Sequence, residues 1–287
     1  MFYELRYAVK CMLGRDVAER NFNVYPDDSF VISYPKSGNT WTRFLIANLA
    51  YPNEQVDFTN INRLIADIAL ASKNFLKSLP RPRILKSHEA FDARFKNVIY
   101  IVRDPRDVAL SEYHFEVKRK HVEQGFPIDQ YVNRFVAGES GPYGSWAENV
   151  ASWVATRQNS PRFLLLRYED MLADPARELA KVATFLGFEA EPGRLARAVE
   201  RSSADRMRKL EVAQADQWSA TKNTRKDMLF VRAAKSGGWE TGLPKSSATL
   251  IESRWGSLMN LLGYKLSSQT LDDVTVPNWA SAGTRAG

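Results

Sequence analysis

Several large classes of protein are excluded by what this sequence lacks. One cysteine, Cys11, stands among 287 residues. No intramolecular disulfide can form and no thiolate cluster can hold zinc, which rules out a disulfide-stapled secreted scaffold. Only three histidines are present, so imidazole chemistry has few candidates. No apolar stretch approaches the ~18 residues of a membrane span. The segment 1–20 is broken by Glu4, Arg6, Lys10, Arg15 and Asp16, and reads as neither signal peptide nor membrane anchor. Glycine and proline, 15 and 13 residues, stay at ordinary usage, against collagen-like, low-complexity and wholly disordered chains. No repeat and no interior linker is visible. The expectation is a soluble cytoplasmic protein with one domain over 1–266 and a flexible, Ser/Thr/Gly-rich tail over 267–287.

What is present is ordinary globular composition, 44% hydrophobic and 25% charged, with a basic balance: 40 Lys+Arg against 33 Asp+Glu, a net charge of +7 and a pI near 9.4. That balance favours an anionic partner, which could be a nucleotide, a nucleic acid, a membrane surface or a phosphorylated substrate. Short, fully apolar runs at 29–33, 83–86, 97–102 and 163–167 fit buried parallel strands. Helical periodicity predicts helices over 40–51, 105–122, 128–137, 145–158, 174–186, 191–200 and 246–262. The stretch 201–241 reads as irregular and basic, a mobile loop suited to closing over a nucleotide. The fold class is α/β, a single domain with a central, mostly parallel sheet flanked by helices.

Three strand ends carry chemistry. The first strand runs into Tyr34-Pro-Lys-Ser-Gly-Asn-Thr-Trp41, a Gly-containing loop that opens a helix. Free N–H groups and the helix dipole make such a junction an anion site. Lys36 can reach a phosphate, Ser37 and Thr40 offer hydroxyls, and Trp41 offers a face for a base. The order is not the Walker pattern, since Lys36 precedes Gly38 and no Lys-Ser/Thr pair follows. The second strand ends in Lys86-Ser87-His88, and the period of two puts Lys86 and His88 on one side. His88 is the best-placed general base of the three histidines. The third ends in Arg103, followed by Asp104 as an N-cap and Pro105 at the first helical position, with Ser111 two turns on. Each element alone also fits a structural role; three basic strand ends together fit the ligand crevice of an open α/β sheet.

These residues resemble the cytosolic sulfotransferases. The loop 34–41 is similar to that family's 5′-phosphosulfate loop, usually YPKSGTTW, with Asn39 in place of Thr. Val102-Arg103 through Ser111-Glu-Tyr-His-Phe115 is similar to its 3′-phosphate motif, and Tyr143-Gly-Ser-Trp146 and Leu166-Arg-Tyr-Glu-Asp-Met171 match further family strings. The resemblance runs in order from about Ser29 to Gly242. It implies a P-loop-like fold and sulfuryl transfer from 3′-phosphoadenosine 5′-phosphosulfate (PAPS) to a hydroxyl or amine of a small-molecule acceptor, with PAP as product and no metal. Carried over by position, Lys36 and Lys86 would stabilise the transition state and His88 would deprotonate the acceptor. Lys36, Ser37, Gly38, Asn39 and Thr40 would hold the 5′-phosphate. Trp41, Tyr168 and Ser202 would surround adenine, Arg103 and Ser111 would bind the 3′-phosphate, and Arg232 and Gly237 would make the last nucleotide contacts.

The chain also departs from the pattern. The family's R-K-G-x-x-G-D-W is here Arg232-Ala-Ala-Lys-Ser-Gly-Gly-Trp239, which leaves Lys235 as a substitute for a lost charge. The aromatic expected beyond Ser202 is Ala204, and the family's K-T-V-E dimer motif is absent, so that dimer is not predicted. Glu89 and Asp92, just after His88, are candidates for attracting a cationic acceptor. Two rival readings remain: a P-loop kinase, which lacks its Gly-Lys-Ser/Thr ending, and a nucleic-acid-binding module, whose basic stretch is interrupted by Asp205, Glu211, Asp216 and Asp227.

Overall fold

The computed structural model describes Ala18 and residues 20–267. Cys11, most of the segment 1–20 and all but the first residue of the tail expected over 267–287 lie outside the described residues. Five strands form one sheet: β1 (Ser29–Ser33), β2 (Ala66–Asp67), β3 (Ile84–Ser87), β4 (Asn97–Val102) and β5 (Phe163–Arg167), in the order β2-β3-β1-β4-β5. Every pairing is parallel. In chain order the helices are α1 (Asn39–Ala50), α2 (Ile61–Leu64), α3 (Lys73–Ser78), α4 (Pro105–Lys118), α5 (Ile128–Val136) and α6 (Trp146–Arg157). They continue with α7 (Tyr168–Ala173), α8 (Pro175–Leu186), α9 (Pro192–Arg201), α10 (Ala204–Gln214), α11 (Trp239–Gly242) and α12 (Lys245–Leu261). None is long and apolar enough to cross a membrane among the described residues.

The apolar strands are buried on both faces because each face has its own core. Phe30 and Ile32 of β1, with Val98, Tyr100 and Val102 of β4, pack against α4, α5, α6 and α12 through Val108, Tyr131, Trp153 and Trp255. Val31, Ile99 and Ile101 face the other way, against α1, α8 and α9 through Phe44, Leu179 and Leu195. Alternation along a strand thus serves two layers of helices. Local signals start the helices: Asp104 accepts the Arg106 N–H at α4 with Pro105 next, and Ser145 and Glu148 form a capping box at α6.

The sequence reading missed β2, α2, α3, α7, α10 and α11. All but α10 are two to six residues long, too short for periodicity to register. In α10 only Met207 and Glu211 are buried, so the helix shows almost no apolar stripe, and the stretch 201–241 opens as helix rather than irregular chain. Beyond α10 the chain is tied down. Glu211 accepts the N–H groups of Phe230 and Val231 at 2.5 and 2.9 Å, and Arg208 donates to the carbonyls of Val231 and Arg232. Lys118 donates to the carbonyls of Arg225 and Met228, and Asp107 accepts the N–H groups of Gly237 and Trp239. This strap brings 230–238 over the carboxyl ends of β1 and β4, where Arg103 meets the Lys235 carbonyl at 3.2 Å.

Because β1 has β3 on one side and β4 on the other, the chain leaves its two neighbours in opposite directions. The crevice at their carboxyl ends is the topological switch point of the sheet.

Candidate active site

The floor of the crevice is the turn between β1 and α1. Lys36 and Gly38 both have positive φ, 64° and 96°, and this reversal aims the start of α1 into the crevice. No side chain caps α1, and its first turn carries no acid, so its leading N–H groups stay available to an anion. Ser37 is fully buried and its Oγ has no hydrogen-bond partner. Asn39 turns its amide inward, donating to the Val31 carbonyl and Ser33 Oγ, both at 3.3 Å; only its backbone faces the turn. A side chain at 38 is forbidden twice, by φ and by space: a Cβ there would lie 2.5 Å from the Tyr168 ring.

Lys36 extends between two aromatic rings, its Nζ 3.9 Å from the Phe115 centroid and 4.0 Å from that of Phe230. The rings favour the cation, yet burial foremost, and Arg103 next, lower its pKa to about 7. Lys86, at the end of β3, is 9% exposed and sits 2.9 Å from Asp67 of β2, itself 10% exposed. Burial lowers the Lys86 pKa and the Asp67 carboxylate opposes the shift. His88 is held by its Nδ1, 2.7 Å from the Ser33 carbonyl. A carbonyl can only accept, so Nδ1 carries the proton and Nε2 is left with a lone pair. Burial, then the Lys86 ammonium, lower the His88 pKa to about 3, which keeps the ring neutral.

At the other end Arg103 donates to the Lys36 carbonyl at 3.1 Å, lies 4.4 Å from the Tyr168 centroid and approaches Asp107 at 3.8 Å. Its Nε has no partner. Trp41 and Tyr168 meet edge-on at 5.9 Å. The Trp41 indole donates to the Ser202 carbonyl at 3.0 Å, and Ser202 Oγ accepts from Asn48. Ala234, where the family pattern has Gly, keeps a positive φ of 49°. The turn that Gly would make easily is therefore kept at a cost of about 1 kcal/mol.

One cavity of about 1470 Å³ joins these groups. Lys36, Gly38, Asn39, Thr40, Trp41, Lys86, His88, Arg103, Ser111, Tyr168 and Arg232 all line it, and Lys235 stands exposed at its edge. Three residues singled out from the sequence do not line it. Ser37 is beneath the turn, Ser202 contributes through the carbonyl that holds Trp41, and Gly237 is turned to Asp107. Glu89 and Asp92 are also outside the wall, near Arg20 at 3.7 Å each, with Asp92 bound to Arg94 at 2.7 Å. The sequence reading missed Asp67, Arg43, Glu112 and His114, which do line the cavity. Asp67 sits in a strand of two residues, and Glu112 and His114 flank Tyr113 within an otherwise unremarkable helix.

Comparison with known proteins supplies the family. A family model for the sulfotransferase domain matches residues 26–263. Bovine sulfotransferase 1A1 is 29% identical over 259 residues, covering 83% of this chain and 85% of its own. Flavonol 3-sulfotransferase of Flaveria bidentis is 30% identical over 252 residues, with 79% and 80% covered. Among solved structures, mouse sulfotransferase SULT7A1 complexed with PAP matches with a TM-score of 0.70 at 24% identity, covering 84% of this chain and 87% of that one. Retinol dehydratase in complex with androsterone and PAP gives 0.72 at 19% identity, covering 84% and 83%. With the family model matched over residues 26–263 and a relative 30% identical over about four fifths of both chains, the chain belongs to the PAPS-dependent sulfotransferase family.

Proposed function

We propose that the protein transfers a sulfuryl group from PAPS to a hydroxyl, or an amino group, of a small-molecule acceptor, with His88 as general base and Lys36 and Lys86 stabilising the transition state. The observation that carries this reading is convergence. One cavity receives an uncapped helix start, the buried Lys86, the half-buried Lys36 and a neutral imidazole whose free nitrogen is Nε2. Its volume exceeds that of a typical single-ligand pocket, as a nucleotide and an acceptor side by side require.

The residues suit the nucleotide. The free N–H groups of α1 fit an anionic group at the turn, and the unpartnered Arg103 Nε, with Ser111 in the same cavity wall, fits a second phosphate. The Trp41–Tyr168 pair offers an aromatic wall for adenine. When bound, PAPS supplies the sulfuryl group and a bisphosphate leaving group. Lys36 would hold charge on the leaving side, Lys86 would hold the transferring group, and His88 Nε2 would accept the acceptor's proton. These are the duties of positioned cations and a base in an in-line transfer. None of these duties calls for a metal, so turnover should persist in EDTA. Among the described residues no three His, Cys, Asp or Glu side chains cluster as ligands. The relatives' names include flavonol and 3-beta-hydroxysteroid sulfotransferases; a small hydroxylated acceptor and a cytoplasmic location are proposed here on that kinship.

Calorimetry with PAP, ADP and AMP in EDTA tests the donor half. PAP should bind most tightly, and equal affinities would reject it. Arg103→Ala should weaken PAP by about ten- to a hundredfold, the usual loss for a hydrogen bond to a charged group, while AMP changes little; unchanged PAP affinity would remove Arg103 from the site. Lys36 gives a second expectation. With its pKa near 7 in the free protein, it is largely neutral above that pH, and a bound phosphate favours the ammonium. PAP binding should therefore take up a proton above pH 7, and affinity should fall by up to about tenfold per pH unit as pH rises. Binding enthalpies that do not vary with buffer ionisation at pH 8 would contradict this.

A further inference from the structure

Glu112 follows Ser111 on α4 and lines the same cavity, yet it is 5% exposed. Its Oε2 has no hydrogen-bond partner, and no basic side chain among the described residues forms an ion pair with it. Lys36 is nearby, but its Nζ rests against Phe115 and Phe230. A buried, unpaired carboxyl is costly to a fold unless a ligand completes it.

The wall beside it leads to the base. A Cβ on Gly141 would lie 4.0 Å from Glu112 Oε1, and Tyr143 meets the His88 ring edge-on at 5.5 Å. Gly141 and Tyr143 line the same cavity as Glu112 and His88, so the carboxyl and the imidazole face one shared space.

We propose that Glu112 is a specificity residue that seats a protonated amine carried by the same acceptor whose hydroxyl reaches His88. The inference rests on reading His88 as the base. Burial first and Glu116 next raise its pKa to about 8. Glu116 is itself engaged by His121 at 2.8 Å and Arg119 at 3.5 Å. Tyr34 and Tyr131, the other titratable groups facing Glu112, have pKa values raised by burial first and by Glu112 next, and so stay protonated. A neutral hydrogen-bond donor would satisfy one oxygen; a cation would also offset the burial of charge and the repulsion from Glu116.

Calorimetry on the PAP-loaded protein can compare 4-(aminoalkyl)phenols of increasing chain length with the matching 4-alkylphenols at neutral pH. At least one amine should bind about ten- to a hundredfold tighter than its alkyl counterpart. Its binding should release a proton, because the ammonium draws Glu112 from acid to carboxylate. Glu112→Gln should erase both the preference and the proton release, and Glu112→Asp should keep part of each. A wild-type protein that binds every alkylphenol at least as tightly as its amine overturns the proposal, as does a Gln variant that keeps the preference. Because binding is read without turnover, failure of the base assignment would appear separately, as amine preference without sulfation.

Discussion

His88→Ala lowers kcat by a factor of about 100 to 10,000, the usual contribution of a positioned general base, while PAP affinity stays close to that of wild type. The asymmetry follows from where the ring is anchored. Nδ1 is committed to the Ser33 carbonyl, so only Nε2 can take part in chemistry, and no nucleotide phosphate is needed to hold the ring in place. Loss of a group used only in the transition state appears in kcat and in kcat/KM together. With a pKa near 3 in the free site, His88 is already neutral across the physiological range. The sign is that of a lowered histidine: only acid far below its ordinary pKa would protonate it, so kcat/KM should show no acidic limb near pH 6.5. Paired kinetics and PAP calorimetry on wild type and variant decide the assignment. A His88→Ala enzyme with full kcat would mean the proton leaves by another route.

The lysines should cost as much, for different reasons. Lys36→Ala removes a cation from the leaving side and should reduce the chemical rate by about 100- to 1,000-fold, the scale of a lost transition-state donor. Lys86→Ala combines two effects. It removes a cation, and it strands the Asp67 carboxylate, only 10% exposed, without its 2.9 Å partner. Breaking a buried pair costs about 3–5 kcal/mol of stability. A double variant, Lys86→Ala with Asp67→Asn, separates the effects: thermal melting should recover most of the single variant's loss, and single-turnover rates should not. If the double variant regained both, Lys86 would be structural and the charge on the transferring group would be held elsewhere.

Much of this site is legible before any coordinates because strand ends carry it. A strand's period fixes which side chains point together, and a parallel sheet brings every carboxyl end to one edge, so Lys36, Lys86, His88 and Arg103 could be placed in one crevice from spacing and fold class alone. The rest depends on helix faces and chain returns that local periodicity does not encode. Asp67 reaches Lys86 only because a two-residue strand pairs with β3. Glu112 is in the wall because α4 rotates it there beside Ser111, and a single acid in a helix gives no sign of which way it turns. Ser202 illustrates the reverse: the resemblance supplies a position near adenine, whereas the fold uses that residue's main-chain carbonyl to fix Trp41. Ala234 holds a left-handed turn without glycine, because the strap around it is tied at Glu211, Arg208 and Asp107.

The contact between Gly38 and Tyr168 has a bearing on how such a site can change. The turn proposed to face the anion and the ring proposed to flank the adenine belong to segments 130 residues apart in the chain, yet they touch so closely that a single methyl group at 38 would strike the ring. Neither can drift independently. A chain that exchanged its nucleotide for one with a different base would have to reshape the aromatic wall without disturbing the turn, or replace both at once. The proposed acceptor side, whose wall from Ser140 to Tyr143 is separate from that lock, would be free to vary. Diversification of acceptors around a fixed donor is thus built into which parts of the cavity interlock and which do not.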